Sequence, residues 1–209
     1  TVISIPAPKT IKINILPQLP EIPLNSQEGY KIKITNNQIH VSATSSTGTY
    51  RALQTIRQLT CKDKDIYYLP TCEITDWPAF RIRGFMHDVG RTYISLKELK
   101  KEIELLSRFK INVFHWHLTE NQAWLYPELN SPQNMTRMPG KYYTLQEAKE
   151  LVKFCKEHHV MLIPEIDMPG HSEAFNRAFH ADMQSQKGME ILKKLMDEIC
   201  ETFDVPYIH

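Results

Sequence analysis

The segment Phe114 to Trp124 reads FHWHLTENQAW, with two histidines one residue apart and a carboxylate, Glu120, close behind. On a strand, residues i and i+2 point to the same side, so His115 and His117 share a face and Trp116 takes the other. Three chemistries fit that pattern. The histidine pair joined by Asp88 or Asp167 would make a metal-dependent barrel hydrolase with an activated water. Both histidines could instead be satisfied polar residues inside a fold. The third reading is a carbohydrate site, in which aromatic platforms such as Trp116, Trp124 and Tyr93 accompany the polar side chains of Arg91, Asp88, Glu120 and Glu165.

A second stretch, PEIDMPGHS from Pro164 to Ser172, narrows the geometry. Glu165 and Asp167 stand at i and i+2 after an apolar run, and Pro169-Gly170 demands a turn that returns His171 toward the same place. His171 beside Glu120 would form a carboxylate and histidine relay able to orient and tune a further acid. Asp167 could alternatively do no more than cap the turn.

Elements that alternate along the chain must position these groups. Phe80 onward reads as strand, helix, strand, helix, strand, helix: IRGFMHDVG, then SLKELKKEIELLSRF capped by Ser95, then INVFHWHL. Next come TLQEAKELVKFCKEH with a Thr144 and Glu147 capping signature, VMLIPEID, and a helix over Gly188 to Phe203. The closing VPYIH reads as a fourth strand. Such alternation implies parallel strands with crossover helices. Chemistry at the carboxyl end of each strand, with no Gly-rich phosphate loop, favours a (β/α)8 TIM barrel over a doubly wound sheet. A whole barrel takes about 250 residues. The α/β fold class expected is therefore about the first half of such a barrel over residues 80–209, preceded by a small α+β domain over 1–79.

That leading domain shows a hairpin signature, YKIKIT and QIHVS flanking Asn36-Asn37. A helix should start near Thr47-Gly48-Thr49, with Tyr50, Leu53, Ile56 and Leu59 recurring at three-residue steps as one apolar stripe. KDKD after Cys61 reads as a solvated turn. The four cysteines, Cys61, Cys72, Cys155 and Cys200, are too dispersed for a disulfide framework and are expected to be mostly buried thiols, with one Cys61–Cys72 bridge conceivable.

Composition excludes some partners. A chain of 209 residues with 25 Lys plus Arg against 24 Asp plus Glu has a net charge of +1 and no basic block, so nucleic acid is not expected. No apolar run reaches the roughly 18 residues of a spanning helix. The opening TVISIPAPKTIKINILP lacks the charged start and apolar core of a signal peptide.

RGFMHDVGR, NVFHWHLTENQAW and PEIDMPGHS, in that order and at these separations, resemble the β-N-acetylhexosaminidases of glycoside hydrolase family 20. GYKIKIT, GTYRALQTIRQL and LPTCEITDWPAFRIRG resemble the small domain that precedes the barrel in that family, so the resemblance runs from about Ser26 to His209. It implies exo-acting, retaining hydrolysis in which the substrate's own 2-acetamido oxygen attacks the anomeric carbon to form an oxazoline. Neither metal nor cofactor is implied, and the partner is a glycan with a terminal N-acetylhexosamine. Arg91 would bind the outer hydroxyls of that sugar, with His117, Asp167 and Trp124 also at the substrate. His171 and Glu120 would support the general acid. The family's Asp-Glu pair, which orients the acetamide and protonates the leaving oxygen, is expected just after His209; the stretch as given should be inactive.

Two departures accompany the resemblance. The family usually has Asp where Glu120 stands, and several residues between the tryptophan and the Tyr-Pro that here runs on directly as Trp124-Leu125-Tyr126-Pro127. A non-catalytic glycan-binding relative is the alternative to an enzyme. Family habit favours a periplasmic or secreted location, and the lone sequon at Asn134 is read as chance.

Overall fold

A computed structural model describes residues 10–123 and 141–209. Trp124, its junction with Pro127 and the Asn134 sequon lie outside the described residues. The chain divides into two compact units, Thr1–Arg81 and Ile82–His209.

The first unit is a four-stranded sheet with one helix. Strands β1 (Ile11–Ile15), β2 (Tyr30–Ile34), β3 (Ile39–Ala43) and β6 (Cys72–Asp76) lie in the order β1-β3-β2-β6, with β1 parallel to β3 and the other pairs antiparallel. The expected hairpin is present: Thr35 N–H donates to Gln38 O at 3.0 Å, closing the turn over Asn36-Asn37. Period-two alternation sends Tyr30, Ile32, Ile34, Ile39, Val41 and Ala43 into the core. Helix α1 (Ser46–Leu59) covers that face and is capped by Ser45, earlier than expected, whose Oγ accepts from Gly48 N. The apolar stripe also differs. Residues spaced by three drift by about 60° per step around a helix, so Leu53 ends up exposed while Ala52 and Ile56 are buried. Arg51 is buried beside them, its Nε donating to Glu28 Oε2 at 2.7 Å.

KDKD is more than a turn. It belongs to a ribbon of β4 (Cys61–Asp63) and β5 (Ile66–Tyr68), with Lys64 at φ 50°. The cysteine expectation is corrected as well: of the four free thiols, Cys155 alone is buried, Cys72 is half-buried, and Cys61 and Cys200 are exposed. Cys61 sits on the ribbon and Cys72 in the four-stranded sheet.

The second unit holds three parallel strands, β7 (Gly84–Asp88), β8 (Val113–His117) and β9 (Met161–Glu165), in that order. Helix α2 (Leu96–Arg108) crosses from β7 to β8, capped by Ser95. Helix α3 (Leu145–Glu157) precedes β9 and opens with the Thr144 and Glu147 capping box in both directions. After β9 come α4 (Glu173–Phe179) and α5 (Gln186–Thr202), the latter capped by Ser185 rather than opening at Gly188. One sheet face carries the core: Phe114, Trp116, Leu162, Leu99, Ile103, Leu151 and Ile199 are buried together, and Trp116 meets the rings of Tyr143 and Phe203.

The expected fourth strand meets β9 at His209. Residues 203–208 have no strand geometry, and His209 alone pairs with β9, its N–H donating to Pro164 O and its carbonyl accepting from Ile166 N, both at 2.9 Å. This is a single parallel bridge opposite Glu165.

Candidate functional site

Register brings the chemistry together. Asp88 on β7 pairs with His117 on β8, which pairs with Glu165 on β9, so three polar side chains from three strands stand on one line at the carboxyl rim. His115 and His117 share the face opposite the helices, as the alternation requires. His87 does not join them: it lies on the helix side, with Nδ1 2.7 Å from Glu102 Oε2 of α2.

Glu120 is the hub. It is 2% exposed, and its Oε2 pairs with His171 Nδ1 at 2.8 Å and accepts from Asn121 N at 3.0 Å. Its Oε1 pairs with Arg91 Nη2 and stands 3.4 Å from His117 Nε2. Burial alone would raise the Glu120 carboxyl, but the Asn121 N–H, His171 and Arg91 favour the anion and together hold it below the usual carboxylate range. Arg91 also pairs with Asp88 Oδ2 and donates its backbone N–H to Asp88 Oδ1 at 3.1 Å. Gly90 makes room for this approach: a Cβ there would lie 3.0 Å from Glu120 Cβ.

The loops after β8 and β9 are tied to each other. Asp167 N–H donates to Thr119 Oγ1 at 2.7 Å, Asn121 Oδ1 accepts from Glu173 N at 3.3 Å, and Arg177 Nη2 donates to Asn121 O at 2.8 Å. Ser172 Oγ closes the turn onto Pro169 O at 2.7 Å, and His171 takes a left-handed backbone, φ 50°, that turns its ring toward Glu120. Of the residues expected at the site, the structure joins His171, Glu120, Arg91 and His117 in one network. Asp167 is half-buried at the rim, and among the described residues its side chain makes no ion pair with that network. Trp124 lies outside the described residues.

Two groups have ligand atoms within 4.8 Å of one another: His115, Glu165 and His209, and Asp88, His117 and Glu120. The two histidines that a metal reading would use as one ligand pair are thus divided between two groups. In the second, the Arg91 guanidinium already bonds both carboxylates and supplies the positive charge there.

Glu165, expected among the polar side chains of a carbohydrate site but given no role by the resemblance, is the buried group nearest the histidine pair. Its Oε2 lies 2.7 Å from His115 Nε2 and 2.9 Å from His117 Nδ1. Burial pushes the His115 pKa down, with Glu165 opposing. The signal was present in the period-two placement of PEID, but which neighbour it would face depends on the inter-strand register.

This geometry has counterparts. Residues 80–187 match the model of the glycosyl hydrolase family 20 catalytic domain, and residues 3–77 that of the family's domain 2. A beta-hexosaminidase of Porphyromonas gingivalis is 35% identical over 171 residues, covering 73% of this chain and 22% of that protein. Beta-hexosaminidase A of Caenorhabditis briggsae is 28% identical, covering 88% and 38% respectively. Among solved structures, a beta-N-acetylhexosaminidase from Bacteroides fragilis superposes with a TM-score of 0.83 at 31% identity, over 95% of this chain and 44% of that one. A chitobiase from Flavobacterium johnsoniae gives 0.84 at 31% identity, over 95% and 33%. The chain therefore spans between 22% and 44% of the length of these four proteins.

Proposed function

The chain belongs to glycosyl hydrolase family 20, and from that premise we propose that the whole protein is an exo-acting β-N-acetylhexosaminidase that releases terminal N-acetylhexosamine with retention of configuration. The observation that carries this reading is the 2.8 Å pairing of His171 with buried Glu120, with Arg91 on the other carboxylate oxygen. A buried anion gives the imidazole a fixed orientation and stabilises a proton on it. His171 would thereby hold and tune a general acid contributed by the segment that follows His209.

The substrate supplies the nucleophile in this reading: its acetamido oxygen closes on the anomeric carbon as the acid protonates the leaving oxygen. Water then opens the oxazoline, with the same acid acting as base. Arg91, half-exposed at the rim, has N–H donors for sugar hydroxyls, and His117 and Asp167 line the same side. The whole protein would act where polymeric glycans are met, in the periplasm or outside the cell. No helix among the described residues is long and apolar enough to cross a membrane.

The test is hydrolysis of an aryl N-acetyl-β-glucosaminide by the full-length protein. Activity should persist in chelator, and the corresponding β-glucoside, which lacks the acetamido oxygen, should not be turned over. Loss of activity on chelation would point to the metal-dependent alternative, and glycan binding without turnover to a non-catalytic relative.

A further inference from the structure

We propose that Glu165 is a positioning residue for the pocket, fixing the Nδ1 proton and ring plane of His117 while holding His115 through the same carboxylate oxygen. Glu165 is 7% exposed, and a buried carboxylate without donors is costly. Its Oε2 has two groups at contact distance, His115 Nε2 and His117 Nδ1, both imidazole nitrogens on neighbouring β8. His209 Nδ1 stands farther off, 3.4 Å from Oε1. None of Glu165 Oε2, His115 Nε2 and His117 Nδ1 makes a well-directed hydrogen bond as placed. Both separations are within hydrogen-bond reach, and among the described residues no other donor is paired with that oxygen.

The separations favour protons over a metal between these groups. At 2.7 and 2.9 Å they are hydrogen-bond lengths, whereas two ligands on a tetrahedral zinc stand about 3.3 Å apart. With the Nδ1 proton committed to Glu165, His117 presents an unprotonated Nε2 to the pocket side, an acceptor that makes no hydrogen bond to Glu120 Oε1, 3.4 Å away. Glu165 thus sits behind the rim network and sets the direction of the His117 ring.

An amide cannot replace the carboxylate here. Glu165 can accept from both rings, but glutamine offers one acceptor oxygen and one donor NH2, so at least one ring must change tautomer or lose its partner. The proposal rests on the hexosaminidase reading for its kinetic consequence alone. Its test therefore has a spectroscopic arm, in long-range 1H–15N spectra of the full-length protein labelled on histidine nitrogens, with His115 and His117 assigned by single substitutions.

The native spectrum should show His117 protonated at Nδ1 and His115 at Nε2. Glu165→Gln should alter at least one of the two rings and raise KM for an aryl N-acetyl-β-glucosaminide about tenfold with a smaller change in kcat, the worth of one misdirected hydrogen bond. An unprotonated Nδ1 on native His117 overturns the proposal even if the variant fails to fold. So does a Glu165→Gln protein whose two rings keep their native tautomers. Absence of hexosaminidase activity would count against the functional reading and leave the spectra to judge Glu165.

Discussion

Replacing Glu120 by glutamine in the full-length protein keeps the side chain's shape and removes its charge. The carboxylate divides its bonds: Oε1 takes Arg91, and Oε2 takes His171 at 2.8 Å and Asn121 N–H at 3.0 Å. Glutamine has one acceptor oxygen, so either Arg91 or His171 must face an N–H donor. A hydrogen bond to a charged group contributes about 1.5–3 kcal/mol, and Glu120 is 2% exposed, so water does not compensate. At about 1.4 kcal/mol per tenfold, kcat should fall by about 10- to 150-fold. The assay is steady-state hydrolysis of an aryl N-acetyl-β-glucosaminide by the native protein, Glu120→Gln, His171→Ala and the double variant. If the two residues act as one unit, the double variant will be little worse than the more damaged single one. The substitution should also change acid stability. The folded-state pKa of Glu120 is depressed, so its contribution is complete above the ordinary carboxylate range and is lost as pH falls through the depressed value. The Tm of the glutamine variant should lack that part of the acid-limb decline. Unchanged kcat in Glu120→Gln, or losses that simply add in the double variant, would refute the relay.

Arg91→Ala should raise KM for the same substrate by more than it lowers kcat, and an unchanged KM would contradict its role at the sugar rim. Gly188→Ala should destabilise the second unit by about 2–4 kcal/mol, because a Cβ there would lie 2.1 Å from Asp182 O and 2.6 Å from Met183 O, both backbone atoms; thermal denaturation reads the loss. Glu28→Gln breaks the partner of buried Arg51 and should cost about 3 kcal/mol, seen as a lower denaturation midpoint. A thiol reagent applied to the native protein should modify Cys61 and Cys200 readily. Cys155, buried and with its pKa pushed up to about 12, should react after unfolding only.

Local signals along the chain specify the elements and the kinds of residue at the rim. Alternation in YKIKIT, the capping residues Ser95, Thr144 and Glu147, and the βα order all depend on near neighbours, and each of these features appears in the structure. The side-chain types of Arg91, Glu120 and His171 were legible for the same reason, and the turn in PEIDMPGHS brings His171 to Glu120. Where periodicity is ambiguous, as in the three-residue spacing of α1, the apolar stripe includes Leu53, which is exposed, and omits Arg51, which is buried. Tertiary structure decided what depends on pairing between distant segments. Register across β7, β8 and β9 set Asp88 in line with His117 and placed Glu165 beside both His115 and His117. A one-residue slip would have exchanged all these faces, and no local signal in the chain encodes which strand residue stands opposite which.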